Sequence, residues 1–494
     1  MPVNTPSKLY LEKKPQWEKV RDCVEGQDAI KGGGTKYLPR PAGQSDEDYE
    51  NYKNRAVFFD GTSRTAEGLH GHIFAKDPVQ VGADKISDVF KERLRNVDAS
   101  GTSLDEFVSN ITWDAMQAPW GGILADHTPV APGTSQADDK GFAYLKWYSA
   151  ESVYSWQYSV IGGAKKLSKV VLREDIEEEK PDDEFETITT EAYRVLSFDE
   201  NGKYIQRVYI KSNEEKGGFV LSAETIEPTI DGKRLGFIPF YTCPGEIPEK
   251  SMLLGLSFEN IGHYQKTADY ENGLHYTGVP SPIAENMEQP FIVTKDANGK
   301  EVKTPQKITL GGSQFKFFCQ KDKEGKIADV RVRYLEFSGA GLGQLLQALN
   351  GCLDRMAKLG IMAIGSEKKG VETAEVAKIY RASEHGVLGA FCRSMSDKIT
   401  QAVRLMAIWN GIPEDEANLW AYELPTKYNL EELSAQILAI MHSARQSGEI
   451  SRSVWFNALK KAGYIPENMT YDAFLKELDA DYIGGHGPDG DGEE

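Results

Sequence analysis

The stretch from Thr373 to Asn410 is the feature that most constrains this chain. Val376, Tyr380, Val387, Phe391, Met395, Ile399, Val403, Met406 and Trp409 keep helical register along it. At 1.5 Å per residue the pattern predicts a helix about 55 Å long. Thr373 is placed to cap its start, and Glu375 suits the positive end of the helix dipole. Gly386 and Gly389 sit in its middle, each costing about 1 kcal/mol relative to Ala. That pair predicts a bend there. Asn410-Gly411-Ile412-Pro413 ends the run.

A second strong pattern precedes it. From Gly341 to Leu359, Leu342, Leu346, Leu349, Leu353 and Met356 form a narrow seam at spacings of three and four, which demands a neighbouring helix. Between the two patterns lie Gly360, Gly365, Glu367, Lys368, Lys369 and Gly370, which on their own read as a polar connection between helices.

The rest of the chain mixes both kinds of periodicity, so the predicted class is α+β. A short helical pattern surrounds Trp17, Val20 and Cys23, and Gly32-Gly33-Gly34 breaks it. Ser103 and Glu106 form a capping box for a helix with Phe107, Ile111 and Met116 on its inner side. Strand-like segments bounded by Gly, Asn or Asp run from about 120 to 245. A long helix follows from Ser251 to about Thr277, with Leu254, Phe258, Ile261, Tyr264 and Ala268 on one side. Residues 279–337 return to strands and turns.

A length of 494 residues exceeds one compact core and suggests roughly three modules. The chain is 40% hydrophobic and 27% charged, as ordinary globular material is. No apolar run reaches the roughly 18 residues needed to span a bilayer, and the start lacks a signal-like apolar region, so a cytosolic protein is expected. Cys23, Cys243, Cys319, Cys352 and Cys392 form no CxxC and read as buried free thiols. A formal charge of −18 argues against gripping nucleic acid through phosphate neutralisation. It is compatible with a passage through which DNA must slide.

Signatures of catalysis are missing. The Gly-Lys pairs at 202, 232, 299 and 325 lack a following Ser or Thr and read as hairpin turns rather than a phosphate-binding loop. His70 and His72 could share a face as metal ligands if their segment were a strand. Asp126-His127, after an apolar strand, offers half of a hydrolytic dyad without a nucleophile elbow. The carboxylate run at 174–186 reads as a solvated loop.

Four stretches then point to a family: RAVFFDGTSRTAEGLHGHIFAKDP at 55–78, SLDEFVSNITWDAMQAPWGGILADH at 103–127, ENIGHYQKTADYENGLHYTGVPSP at 259–282, and TAEVAKIYRASEHGVLGAFCRSMSDKITQAVRLMAIWNG at 373–411. In combination and order they resemble the portal proteins of tailed bacteriophages, most closely a portal family often described only as a domain of unknown function. The resemblance spans about residues 40–480. It implies an N-terminal arm (1–40), an α+β wing (41–250), a first stem helix (251–278) and a β-rich clip (279–337). A second stem helix (338–360), a tunnel loop (361–372), a long kinked wing helix (373–412), a helical crown (413–480) and a disordered acidic tail (481–494) complete it.

The function implied is that of a virion protein, a ring usually of twelve copies at one capsid vertex, assembled in the host cytoplasm. Double-stranded DNA would be packaged and ejected through its channel. Its implied partners are the large terminase subunit, the major capsid and scaffolding proteins and the head-to-tail adaptor, with no cofactor, metal or membrane. Gly365, Glu367, Lys368, Lys369 and Gly370 would face DNA. The seam Leu342, Leu346, Leu349, Leu353 and Met356 would pack between subunits, and Gly386 and Gly389 would mark the kink. A head-to-tail adaptor ring is the alternative within the virion, although such chains are usually much shorter. A hydrolase using Asp126 and His127 is the alternative from another class.

Overall fold

The computed structural model describes residues 2–483 apart from 129–140, 181–182, 213–217, 223–224, 279–280, 286–290, 296–298, 306–330, 336–338, 361–373, 427–441, 446, 448–449, 462–463 and 466–468. The chain forms two compact units, Met1–Leu424 and Pro425–Glu494.

The first unit opens with α1 (Lys8–Glu25), α2 (Gln27–Gly32), α3 (Asp46–Arg55) and α4 (Gly61–Ile73). Then come β1 (Val79–Val81), α5 (Asp88–Arg93) and α6 (Leu104–Gln117). The region read as strands contains β2 (Gly121–His127), β3 (Ala143–Ser149), β4 (Val153–Ile161), β5 (Ala164–Lys180), β6 (Asp183–Phe198) and β7 (Tyr204–Lys211). It closes with β8 (Phe219–Leu221), β9 (Thr229–Ile230), β10 (Lys233–Arg234) and β11 (Phe240–Thr242). Helix α7 (Leu254–Gly278), strands β12 (Ser281–Glu285), β13 (Phe291–Lys295), β14 (Glu301–Pro305) and β15 (Arg331–Leu335), and helix α8 (Ala340–Leu359) come next. Helix α9 (Ala374–Trp409), α10 (Glu414–Leu419) and β16 (Ala421–Glu423) end the unit. Helices and strands share one unit, so the class is α+β as expected.

The first forty residues are core rather than arm. Ser7 caps α1 by accepting from Tyr10 N, and the apolar face of the helix buries Tyr10, Trp17, Val20 and Cys23. Cys23, Ile30, Tyr37 and Leu38 join Tyr49, Tyr52, Phe58, Ile261, Tyr264 and Ala268 in one cluster, which ties the N-terminal helices to α7. On the polar side Arg21 pairs with Glu151 at 2.5 Å and Asp114 at 2.9 Å. Trp147 Nε1 donates to the same Asp114 at 2.9 Å. Removing α1 would therefore strip both a hydrophobic face and the counterion of two carboxylates.

Helix α6 confirms its sequence pattern. Ser103 Oγ accepts from Glu106 N, and Phe107, Ile111 and Met116 are buried. Beside it, β11, β2 and β3 form a three-stranded antiparallel sheet on which α9 packs. Strand β2 is buried almost throughout, and it approaches closely enough that a Cβ on Gly122 would lie 2.3 Å from the Phe240 ring. Any larger residue there would have to displace the buried Phe240 ring.

Strands β4 to β8 form a second, five-stranded antiparallel sheet. Its β5 and β6 are 17 and 16 residues long, and they carry the carboxylate run that was expected to be a loop. Cross-strand pairing overrides the charge there: Glu177, Glu178 and Glu179 lie opposite Thr189, Ile188 and Thr187, and only Asp175 is paired with another acid, Glu191.

The C-terminal end of the unit also differs from expectation. Strand β16 pairs antiparallel with β1, and Trp420 and Tyr422 are buried, so residues 414–424 belong to the body rather than to a crown beginning at 413. The second unit includes α11 (Arg452–Lys461) and α12 (Tyr471–Ile483), joined where Phe456 packs on Tyr471 and Phe474 with ring centroids 5.4 and 5.0 Å apart.

Candidate assembly surface

Helices α7 and α8 pack on each other, and three contacts fix their direction. Arg355 Nε donates to Glu259 Oε2 at 3.0 Å. A Cβ on Gly273 would lie 2.7 Å from Leu342 Cδ2, and one on Gly360 would lie 2.9 Å from Leu256 Cδ2. As the α7 residue advances from Leu256 through Glu259 to Gly273, its partner moves back from Gly360 through Arg355 to Leu342, so the helices are antiparallel. Strands β12 and β15 continue the same pairing, with Ser281 opposite Leu335 and Glu285 opposite Arg331. Helix pair and strand pair thus make one long hairpin, with β13 and β14 paired beyond.

Burial along this hairpin changes at one level. In α7 the buried residues stop at Ala268, and none of residues 269–278 is buried. In α8 none of residues 341–348 is buried, and burial begins at Leu349. The outer half of the hairpin is a stalk leaving the body.

The seam of α8 is divided by the same boundary. Leu349 and Met356 are 6% and 2% exposed, Leu342 and Leu353 are half-buried, and Leu346 is 45% exposed. The seam was expected to pack between subunits; its inner part, Leu349 and Met356, is already covered within its own chain, where α8 packs on α7. What stays exposed on the stalk is Leu346, with Leu274 and Tyr276 on α7. Phe258, expected on the inner side of α7, is also exposed and lies beneath the Lys19 ammonium, 3.7 Å from its ring centre.

Helix α9 runs unbroken for 36 residues through Gly386 and Gly389, of which the first is exposed and the second buried. Leu388, Phe391, Met395, Ile399, Val403 and Met406 form its buried face, while Val387 points to solvent. Its C-terminal end is anchored. Asn410 donates through Nδ2 to Ala143 O and accepts at Oδ1 from Ala143 N, both at 3.0 Å. Trp409 Nε1 donates to Thr229 O at 2.8 Å. Gly411, at φ +83°, turns the chain out of the helix as its sequence predicts. Thr373 and the loop residues Gly365, Glu367, Lys368, Lys369 and Gly370 lie outside the described residues.

The hydrolytic dyad is dismantled by position. Asp126 and His127 are consecutive on β2, so their side chains leave opposite faces of the sheet. The Asp126 carboxylate is buried, accepts from Gln206 Nε2 at 2.9 Å and lies 3.8 Å from the Arg194 guanidinium. His127 stacks on Trp409 and places Nδ1 2.8 Å from Thr128 O. Both are occupied by the packing of α9 and the two sheets. Glu174, inside the carboxylate run, belongs to the same network: Arg194 contacts it at 3.1 Å and Lys146 at 2.8 Å. Burial alone would raise its pKa, but those two cations outweigh burial and hold it at about 2. Sequence reading missed this cluster because its members are spread over five strands.

The other candidates resolve similarly. His70 and His72 lie on helix α4, where residues two apart do not share a face. Among the described residues no group of His, Cys, Asp and Glu is arranged to hold a metal ion. Cys23, Cys243, Cys352 and Cys392 are buried free thiols, as expected, and Cys319 lies outside the described residues. Among the described residues no helix is long and apolar enough to cross a membrane.

Residues 252–410 match a family model described as Domain of unknown function (DUF4055). The matched stretch runs from the start of α7 to the end of α9, so it contains the hairpin and the long helix together. No curated protein matches the chain. Among solved structures, a chain from "Virion of native gene transfer agent (GTA) particle" is 12% identical, with 87% of this chain and 98% of that chain covered and a TM-score of 0.33. A chain from "Neck of empty GTA particle computed with C6 symmetry" is also 12% identical, with the same coverage and a TM-score of 0.35.

Proposed function

We propose that this chain is a portal subunit: a ring-forming, non-enzymatic virion protein whose central channel passes double-stranded DNA during packaging and ejection. The observation that carries the reading is the stalk. An α+β body sends out two antiparallel helices that become uncovered at the same level, ends them in paired strands, and then returns through a 36-residue helix anchored in the body. That order supports a reading as wing, stem, clip, stem and wing helix. A stalk that carries exposed Leu274, Tyr276 and Leu346 suits a chain surrounded by copies of itself.

In this reading the strands at 279–337 form the clip on which the large terminase subunit and later the head-to-tail adaptor dock. Residues 361–372 form the tunnel loop, in which Lys368 and Lys369 make transient phosphate contacts and the glycines let the loop change shape. Gly386 and Gly389 allow α9 to bend, and the unit after Pro425 serves as crown. The ring takes the place of a capsomer at one capsid vertex and contacts the major capsid and scaffolding proteins. Electron micrographs of the purified full-length chain test the reading: rings of about a dozen copies with a central hole are expected, and monomers at every concentration overturn it.

A further inference from the structure

The five-stranded sheet carries opposite charge at its two ends. The β4–β5 turn brings Lys165, Lys166 and Lys169 together without an acid between residues 160 and 169. At the other end of β5, residues 175–191 hold nine acids and one lysine. At about 3.3 Å per residue, a strand of 17 residues keeps the two ends roughly 50 Å apart.

The acidic end stands free of the sheet. Pairing of β4 with β5 stops at Leu172, and pairing of β7 with β6 stops at Ala192. Beyond that level β5 and β6 pair only with each other among the described residues, from Asp175 opposite Glu191 to Lys180 opposite Asp183. The ribbon exposes Glu177 and Glu186, and Phe185 is 91% exposed near its tip. A two-stranded ribbon is marginal in water, and one rich in like charges is more so. At the basic end Lys165 already pairs with Glu246 at 2.7 Å, while Lys166 and Lys169 are exposed.

We propose that this sheet joins copies of the chain head to tail, the acidic β5–β6 ribbon of one copy lying against the Lys166 and Lys169 turn of the next. A chain of net charge −18 repels its own copies, so a contact between them needs locally opposite charge. Ribbon against ribbon would oppose acid to acid. Ribbon against turn opposes acid to base, and such a heterologous contact closes into a ring when the rotation permits. Val160, 78% exposed beside the lysines, and Phe185 give the contact an apolar component.

The inference rests on the ring reading, and the experiment separates the two. Full-length rings are treated with a water-soluble carbodiimide, which joins a lysine amine to a carboxylate in direct contact, and the joined peptides are identified by mass spectrometry. The expected product links Lys166 or Lys169 to residues 175–191, and the length of β5 means that such a link must run between copies. In parallel, Lys166→Glu with Lys169→Glu, and separately Glu177→Gln with Glu186→Gln, should keep the thermal unfolding of the wild type. Each should raise the concentration for half-assembly, the lysine pair by on the order of tenfold, with less dependence on salt. Rings without the link, or with unchanged assembly in both variants, overturn this contact and leave the ring reading standing. A wild-type chain that stays monomeric removes both.

Discussion

At the residue scale the clearest consequence concerns Glu174. Its carboxyl is held at about 2 in the folded protein against an ordinary value of 4.5, through Arg194 and Lys146 acting against burial. A group depressed on folding stabilises fully above its unfolded value, and its contribution fades as pH falls from about 4.5 through about 2. Glu174→Gln should therefore flatten the acid end of the stability profile. At neutral pH it should cost about 3 kcal/mol, since Arg194 would be left in the interior short of a carboxylate. Urea unfolding of both proteins across that pH range checks the two effects, and parallel profiles would remove Glu174 from the acid response. The loop lysines pose a different question. If Lys368 and Lys369 touch phosphates, replacing both by alanine should lower the salt slope of DNA binding by about one unit per lost contact without changing sequence preference. Assembly should be untouched, and an unchanged slope would return the loop to a plain connection between helices.

Among the elements, α8 separates folding from assembly. Leu349 is buried where α8 packs on α7, so Leu349→Asp should place an unpaired charge in the core and cost several kcal/mol. Loss of rings in that variant would come with a lower Tm. Leu346 is 45% exposed on the stalk, so Leu346→Asp should leave Tm nearly unchanged while weakening ring formation. Thermal unfolding alongside particle counting in micrographs tells the two apart, and intact rings in Leu346→Asp would take the stalk out of the subunit contact. The seam spacing was legible from the sequence. Its division into a covered and an uncovered half was not, because periodicity marks the face that wants cover without saying which neighbour supplies it.

For the molecule as a whole, the boundary at Leu424 has a testable consequence. Strand β16 pairs with β1, and buried Trp420 and Tyr422 fill the space beside α9. Chains ending at Leu424 should unfold cooperatively at a temperature close to that of the first unit in the full chain. Chains ending at 412 should lose several kcal/mol, because two large aromatic side chains and a strand pairing go with the cut. Circular dichroism melts of both truncations decide the point, and equal melting temperatures would place the boundary back at 413.

The sequence by itself determined the elements whose causes are local. Helix α9 and its stop at Gly411, the Ser103 cap, and the α7, strand and α8 order follow from spacing, capping chemistry and left-handed glycines within a few residues of each other. The Asp231-Gly232 turn between β9 and β10, with φ of +48° and +74°, is of the same kind. Tertiary structure alone decided what depends on residues distant in the chain. It made α1 core through Asp114 and Glu151, and it turned an acidic run into a strand by pairing it. It also set Asp126 and His127 to structural work, and fixed the level at which the stalk leaves the body. The reason is common to all four: a side chain's burial and charge state are set by neighbours that the fold supplies, from the facing strand of a hairpin to helices more than a hundred residues away.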